Sequence, residues 1–132
     1  MSSSERALTP QDMAAPFGRY VHGVEIPAGA RIVVTSGQLA LVPDGTVPQG
    51  VAAQTTLCLE NIERILAQAG MTRADIVRLS AFVTDRAHMQ GYMRARDDFL
   101  NEVDPPPAST LLIVGGFTRP EFLVEIEAIA AR

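Results

Sequence analysis

The segment Val124-Glu125-Ile126-Glu127-Ala128-Ile129-Ala130 alternates apolar with acidic side chains. In an extended strand Glu125 and Glu127 project from one face, their Cα atoms about 7 Å apart. Leu123 and Ile129 flank them on that face. A carboxylate among apolar neighbours is suited to general acid–base work on water. The plainer alternative is a half-solvated strand bearing ordinary surface glutamates. A second candidate is Thr35-Ser36-Gly37-Gln38. Gly37 lets a ligand approach the main chain and Ser36 offers a hydroxyl; a simple β-bulge is the alternative. In the third, Pro107-Ala108-Ser109-Thr110, the proline stiffens the entry to a strand and holds Ser109 and Thr110 in place. Turn and strand-start chemistry explains the same residues. No Gly-x-Ser-x-Gly motif is present, and neither His22 nor His88 can be assigned to Ser109 as a base.

Other reactive side chains have plainer roles. Tyr20 can hydrogen-bond a ligand or simply pack its ring. Met89, Tyr92 and Met93 are helix-spaced and read as core. Cys58 falls on a helix stripe and reads as an inert buried thiol. Arg94 and Arg96 beside Asp97 and Asp98 read as a solvated face.

Composition removes several function classes. The chain has 132 residues, the size of one domain, here taken as residues 1–132. It is 47% hydrophobic and 20% charged, which excludes disorder. A mean hydropathy of +0.14 leaves apolar surface for an oligomer interface. The net charge of -4 argues against nucleic-acid binding. All 11 basic residues are Arg, so no lysine Schiff base and no Walker A lysine exist. One cysteine and two distant histidines supply no intrachain disulfide and argue against a His-rich metal site within one chain, leaving open one shared between subunits; no metal site is expected. The longest uncharged run, residues 45–59, is broken by Pro48, Gln49, Gly50 and Gln54 and cannot span a membrane. Met1 to Arg6 has no basic or apolar leader pattern, and a cytoplasmic location is expected.

The elements that must position these residues follow from periodicity. Residues 1–16 read as a loosely held arm. Strands are expected over 20–26, 31–35 and 39–42, the last two separated by Ser36-Gly37-Gln38. Val51, Thr55, Cys58, Ile62, Ile65, Leu66 and Ala69 recur at helical steps, with Gly70 as the stop. Residues 76–84 alternate as a strand. Asp85 can cap a helix running from Arg86 to about Val103, which Pro105-Pro106-Pro107 must end. Residues 110–114 read as a strand covered on both faces, and 123–130 as the last strand. Helices cover one sheet face; the other is expected to be buried by another subunit.

Taken together, Val33-Val34-Thr35-Ser36-Gly37-Gln38, Leu59-Glu60-Asn61-Ile62, Val83-Thr84-Asp85, Pro107-Ala108 and the strand at 124–130 resemble the YjgF/RidA family of reactive-intermediate deaminases. The resemblance runs from Phe17 to Arg132. It implies a chorismate-mutase-like α+β fold, a mixed β-sheet with two helices on one face. It also implies a homotrimer with a central β-barrel and ligand clefts between subunits. The implied activity is cofactor-independent hydrolysis of enamines and imines, such as 2-aminoacrylate, to a 2-oxo acid and ammonia. By the resemblance Glu125 positions water, while Tyr20 and Ser36-Gly37 complete the cleft.

Three positions depart from the family pattern. The arginine that holds the substrate carboxylate falls on Ser109, an asparagine on Met93 and a cysteine on Leu111, with Thr110 between. Serine offers one neutral hydrogen bond where arginine offers a charge-assisted pair, each worth about 1.5–3 kcal/mol. Three readings follow. One is a hydrolase with an altered substrate. Another is an imino-acid deaminase in which Arg19, or Arg96 of a neighbouring subunit, replaces the missing arginine. The third is a non-catalytic small-ligand-binding or regulatory trimer. A ribonuclease label also circulates in the family; the acidic charge and the lack of an acid–base histidine pair speak against it.

Overall fold

The computed structural model describes residues 6–132. Strands β1 (Ala7–Leu8) and β2 (Gly23–Val24) form a small antiparallel pair. The main sheet contains β3 (Ile32–Val34), β4 (Gln38–Leu39), β5 (Ile76–Val83), β6 (Ala108–Ile113) and β7 (Val124–Ala131). Its order is β3-β7-β5-β6, with β4 also on β7. All pairs are antiparallel except β5–β6, so the sheet is mixed.

Helices α1 (Val51–Ala67) and α2 (Met89–Phe99) pack on one face of this sheet and against each other. The α1 stripe buries Thr55, Cys58, Leu59, Ile62 and Leu66 against Leu79, Ala81, Val83, Val124 and Ile126. Each large apolar side chain so buried contributes roughly 1.5–3 kcal/mol. Gly70, at φ 72°, closes α1 with Gly70 N–H to Ala67 O at 3.0 Å and Met71 N–H to Leu66 O at 3.0 Å. That pairing needs a left-handed residue, which glycine adopts without penalty. The buried Gln54 amide donates to Pro48 O and Glu121 O and accepts from Leu123 N–H, at 3.0, 2.9 and 2.9 Å. It thereby ties the start of α1 to the loop that launches β7.

Several sequence expectations need correction. The extended segment around Val21 shrinks to Gly23–Val24 plus a single bridge from Val21 to Ala108, because Val21 N–H pairs with Pro107 O at 3.0 Å. The strand after Gly37 ends at Leu39. The second helix begins as a tight 3₁₀ turn at Arg86–His88, capped by Asp85 Oδ1 on Ala87 N–H at 2.8 Å, and ends at Phe99. Within the expected arm, residues 6–8 are tied down: Ala7 and Leu8 pair with β2, and the buried Arg6 donates to Ala131 O at 3.1 Å, while residues 9–15 are exposed and outside any regular element. The arm's first five residues lie outside the described residues. Within the single chain strand β6 is only partly covered, with Leu112 and Ile113 51% and 45% exposed.

The sheet face away from the helices carries Ile32, Val34, Phe82, Leu112 and Ile129 among Arg78, Ser80, Thr110, Glu125 and Glu127. This follows because directly paired residues project to one side. Ile32 and Val34 are 56% and 70% exposed. Among the described residues no helix is long and apolar enough to cross a membrane.

Candidate functional site

The interruption at Thr35-Ser36-Gly37 is a bulge on β7. Val34 pairs with Ile129 and Gln38 with Ile126, so three residues face two. Thr35 holds it together. Its N–H donates to Ala128 O, and its Oγ1 accepts from Ala128 N–H, both at 3.0 Å. Thr35→Val keeps the shape but leaves the buried Ala128 N–H without an acceptor. It is expected to cost about 1–3 kcal/mol in urea unfolding at fixed protomer concentration; an unchanged midpoint would show that the bulge does not depend on this hydroxyl.

The bulge brings Gly37 beside Glu125. A Cβ on Gly37 would lie 2.8 Å from Glu125 Cδ and Oε1. Only glycine leaves that space, so the half-buried Glu125 carboxylate rests against the main chain of the bulge. Exposed Ser36 neighbours it, and Glu127 is two residues further along the same face. Glu125, Ser36 and Gly37 therefore form one group.

Ser109 belongs to another. It pairs with Leu79, which pairs with Ala128, so its side chain projects to the helix-covered face. Leu112 pairs with Phe82 and Phe82 with Glu125, placing Glu125 on the open face. Strand spacing and rise put the Ser109 and Glu125 Cα atoms about 14 Å apart, with side chains on opposite faces. Thr110 points to the open face and accepts from Arg78 Nη2 at 2.8 Å. Leu111 and Met93 both pack against the core under the helices.

Around Ser109 lies a buried cluster that corrects the solvated-face expectation for Arg96. Arg96 is 3% exposed, and its Nη1 donates to Ser109 Oγ at 3.4 Å within the same chain. Its Nε and Nη2 both reach Asp97 Oδ1, at 3.1 and 3.0 Å. The rings of Tyr20 and Tyr92 each lie 5.6 Å from the guanidinium carbon. Gly18 makes the approach possible: a Cβ there would lie 2.5 Å from Nη2. The Tyr20 hydroxyl accepts from Phe17 N–H at 3.4 Å. Arg19 Nη2 donates to the carbonyls of Leu100 and Val103 just past α2, while its buried Nε has no hydrogen-bond partner.

Tyr92 is fully buried, and its hydroxyl has no partner at hydrogen-bond geometry. Burial raises the phenol's pKa, while the Arg96 charge and the nearby Ser109 hydroxyl oppose the rise. Tyr92 is core, as its helical spacing leads one to expect, and its ring also lies beside the Arg96 guanidinium. The legible signal was helical: Tyr92 and Arg96 stand four apart, with Ala95 buried between them.

Cys58 is fully buried on the core side of α1. Burial pushes its thiol up to about 12, and the negative charge of Glu125 adds to the rise. The thiolate is therefore negligible at neutral pH. Ellman's reagent at pH 8 is expected to label Cys58 only after unfolding; fast labelling of the native protein would contradict the burial. Among the described residues, no group of three or more His, Cys, Asp or Glu side chains is placed to hold a metal.

Known proteins resemble this chain along nearly its whole length. A family model described as endoribonuclease L-PSP matches residues 11–132. A 2-iminobutanoate/2-iminopropanoate deaminase of Escherichia coli K12 is 32% identical over 129 residues, spanning 96% of this chain and 98% of that protein. The crystal structure of YyfB, a Rid-family protein of Yersinia pestis, matches with a TM-score of 0.85 at 34% identity, covering 96% and 98% of the two chains. The structure of E. coli TdcF with bound serine matches with a TM-score of 0.72 at 31% identity, again covering 96% and 98%.

Proposed function

The chain belongs to the endoribonuclease L-PSP family, which the YjgF and Rid proteins share, and on that footing we propose that it is a cofactor-independent hydrolase of small enamines and imines. The observation that carries this reading is the Glu125 carboxylate, seated against a bulge whose glycine has no side chain to exclude it. A relative named as a 2-imino acid deaminase supports the substrate class. A net charge of -4 makes polynucleotide a poor substrate.

In the proposed reaction Glu125 accepts a proton from a bound water as the water oxygen attacks the C=N carbon. The π pair moves to nitrogen, which takes up a proton, and a carbinolamine results. The amine nitrogen takes up a second proton, returned by Glu125, the C–N bond breaks with its electron pair going to nitrogen, ammonia leaves, and loss of the hydroxyl proton closes the carbonyl. The sum is imine plus water to ketone plus ammonia.

Glu125 and Ser109 lie on opposite faces of one sheet, so a cleft that uses both takes them from different subunits. The exposed apolar side chains of the open face supply the surface for such an assembly, read here as a homotrimer. Light scattering is expected to return three protomer masses, and a monomer would remove the shared cleft.

The test is release of ammonia and 2-oxo acid from freshly generated 2-aminoacrylate and 2-iminobutyrate. Wild type, Glu125→Ala and Ser109→Arg run beside the spontaneous rate. Acceleration by wild type that Glu125→Ala abolishes supports the hydrolase. Wild type inert on both, with no gain in Ser109→Arg, would instead favour a non-catalytic ligand-binding trimer.

A further inference from the structure

The cluster around Ser109 holds more hydrogen-bond donors than acceptors. Arg96 has five N–H groups, and three are used: Nε and Nη2 on Asp97, and Nη1 on Ser109. Two remain. The Tyr92 hydroxyl, buried and without a partner, adds another donor. Ser109 Oγ accepts from Arg96, which leaves the serine's own proton free to donate. The one carboxylate in contact, Asp97, also accepts from Arg19 N–H at 3.3 Å. A buried guanidinium with unspent donors and an unpaired phenol beside it has capacity for a further acceptor besides Asp97.

The arginine is also held in one orientation. Asp97 grips the Nε–Nη2 edge from the side, which turns Nη1 toward Ser109. Two tyrosine rings flank the plane, and Gly18 admits Nη2 where any side chain would collide. A guanidinium fixed this way holds its charge and its hydrogen bond to Ser109 in one direction, with little freedom to lose on binding.

We infer that Arg96 and Ser109 of the same chain form the anion-binding half of the cleft, with Ser109 donating to the substrate carboxylate and Arg96 supplying the positive charge behind it. This rests on the imine-hydrolase reading for the kind of ligand, a 2-imino or 2-oxo carboxylic acid. Arg96 is a positioning residue here, acting through the serine. The arginine needed to replace the one absent at position 109 therefore comes from the same chain as Ser109; it is Arg96 that contacts the serine, whereas Arg19 Nη2 is held by the Leu100 and Val103 carbonyls.

The experiment measures binding and turnover separately. Calorimetry follows 2-oxobutyrate and its neutral amide, 2-oxobutanamide, on wild type, Arg96→Met, Arg96→Lys and Ser109→Ala. Steady-state kinetics follow 2-iminobutyrate hydrolysis. The expected result for Arg96→Met is a Kd for 2-oxobutyrate and a KM for 2-iminobutyrate about ten- to a hundredfold higher, with kcat little changed. Binding of the amide stays as in wild type. Ser109→Ala shifts the same constants in the same direction, and Arg96→Lys falls between.

Equal weakening of acid and amide would overturn the inference, because a merely structural arginine would act on both. So would an unchanged 2-oxobutyrate Kd in Arg96→Met, or no binding of 2-oxobutyrate by wild type. Should Arg96→Met fail to fold by circular dichroism, Arg96→Lys and Ser109→Ala decide between the same outcomes. The two readings separate cleanly. Arg96-dependent binding without hydrolysis would sink the hydrolase and keep the anion site. Hydrolysis with Arg96-independent binding would do the reverse.

Discussion

Glu125→Gln is expected to lower turnover of 2-iminobutyrate by two to four orders of magnitude, approaching the spontaneous rate. That range is what a positioned general base contributes, roughly 10²–10⁴-fold. Glutamine keeps the size and a hydrogen-bonding oxygen of the carboxylate, so it still fits against Gly37 but accepts no proton from water. The side chain is only half-buried and belongs to none of the ion pairs found among the described residues, so the melting temperature should stay within a degree or two. Ammonia release measured against the uncatalysed rate, with thermal melting as the control, checks both halves. A variant that retains a tenth or more of wild-type kcat would show that water is activated elsewhere.

Gly37→Ala should produce the second large effect without touching an ionisable group. Its new Cβ would lie 2.8 Å from Glu125 Cδ and Oε1 and 3.0 Å from Cγ, closer than such atoms tolerate. Gly37 has no positive φ, so its backbone accepts alanine and the carboxylate must move instead. A catalytic group displaced by about an ångström loses on the order of 10²-fold in rate. The expected kcat for Gly37→Ala is accordingly about one to two orders of magnitude below wild type, with folding intact. The double variant Gly37→Ala/Glu125→Gln provides the decisive comparison. If glycine acts only by making room for the carboxylate, the double variant is no slower than Glu125→Gln alone. Multiplying losses would mean that Gly37 serves the ligand directly.

These expectations rest on features of unequal legibility. The bulge at residues 35–37 was readable because a serine-glycine pair interrupts a β-branched run, and the register confirms one extra residue against β7. The α1 stripe and its Gly70 stop were readable because helix burial and capping depend on residues three to five apart. Strand β7 was readable from strict alternation, which the burial of Val124, Ile126, Ala128 and Ala130 reproduces. The second helix was overextended, since Leu100 and Val103 are buried and apolar at helical spacing yet sit in the turn whose carbonyls Arg19 contacts.

By itself the sequence determined the local elements, the glutamate strand, the interrupted strand beside it and the family to which they belong. Those properties depend on side-chain periodicity and on hydrogen bonds between near neighbours, which a linear pattern records. Tertiary structure decided where the chemistry meets. Ser109 and Thr110 are adjacent in sequence but point to opposite faces, and only pairing with Leu79 and Ser80 says which face is which. Arg96, charged and next to two aspartates, looks like solvent-facing surface in a linear reading. It is buried because Gly18, from 78 positions earlier in the chain, leaves room for it and two tyrosines enclose it. Burying a guanidinium is favourable only when distant parts of the chain supply its partners, and no local pattern encodes that meeting.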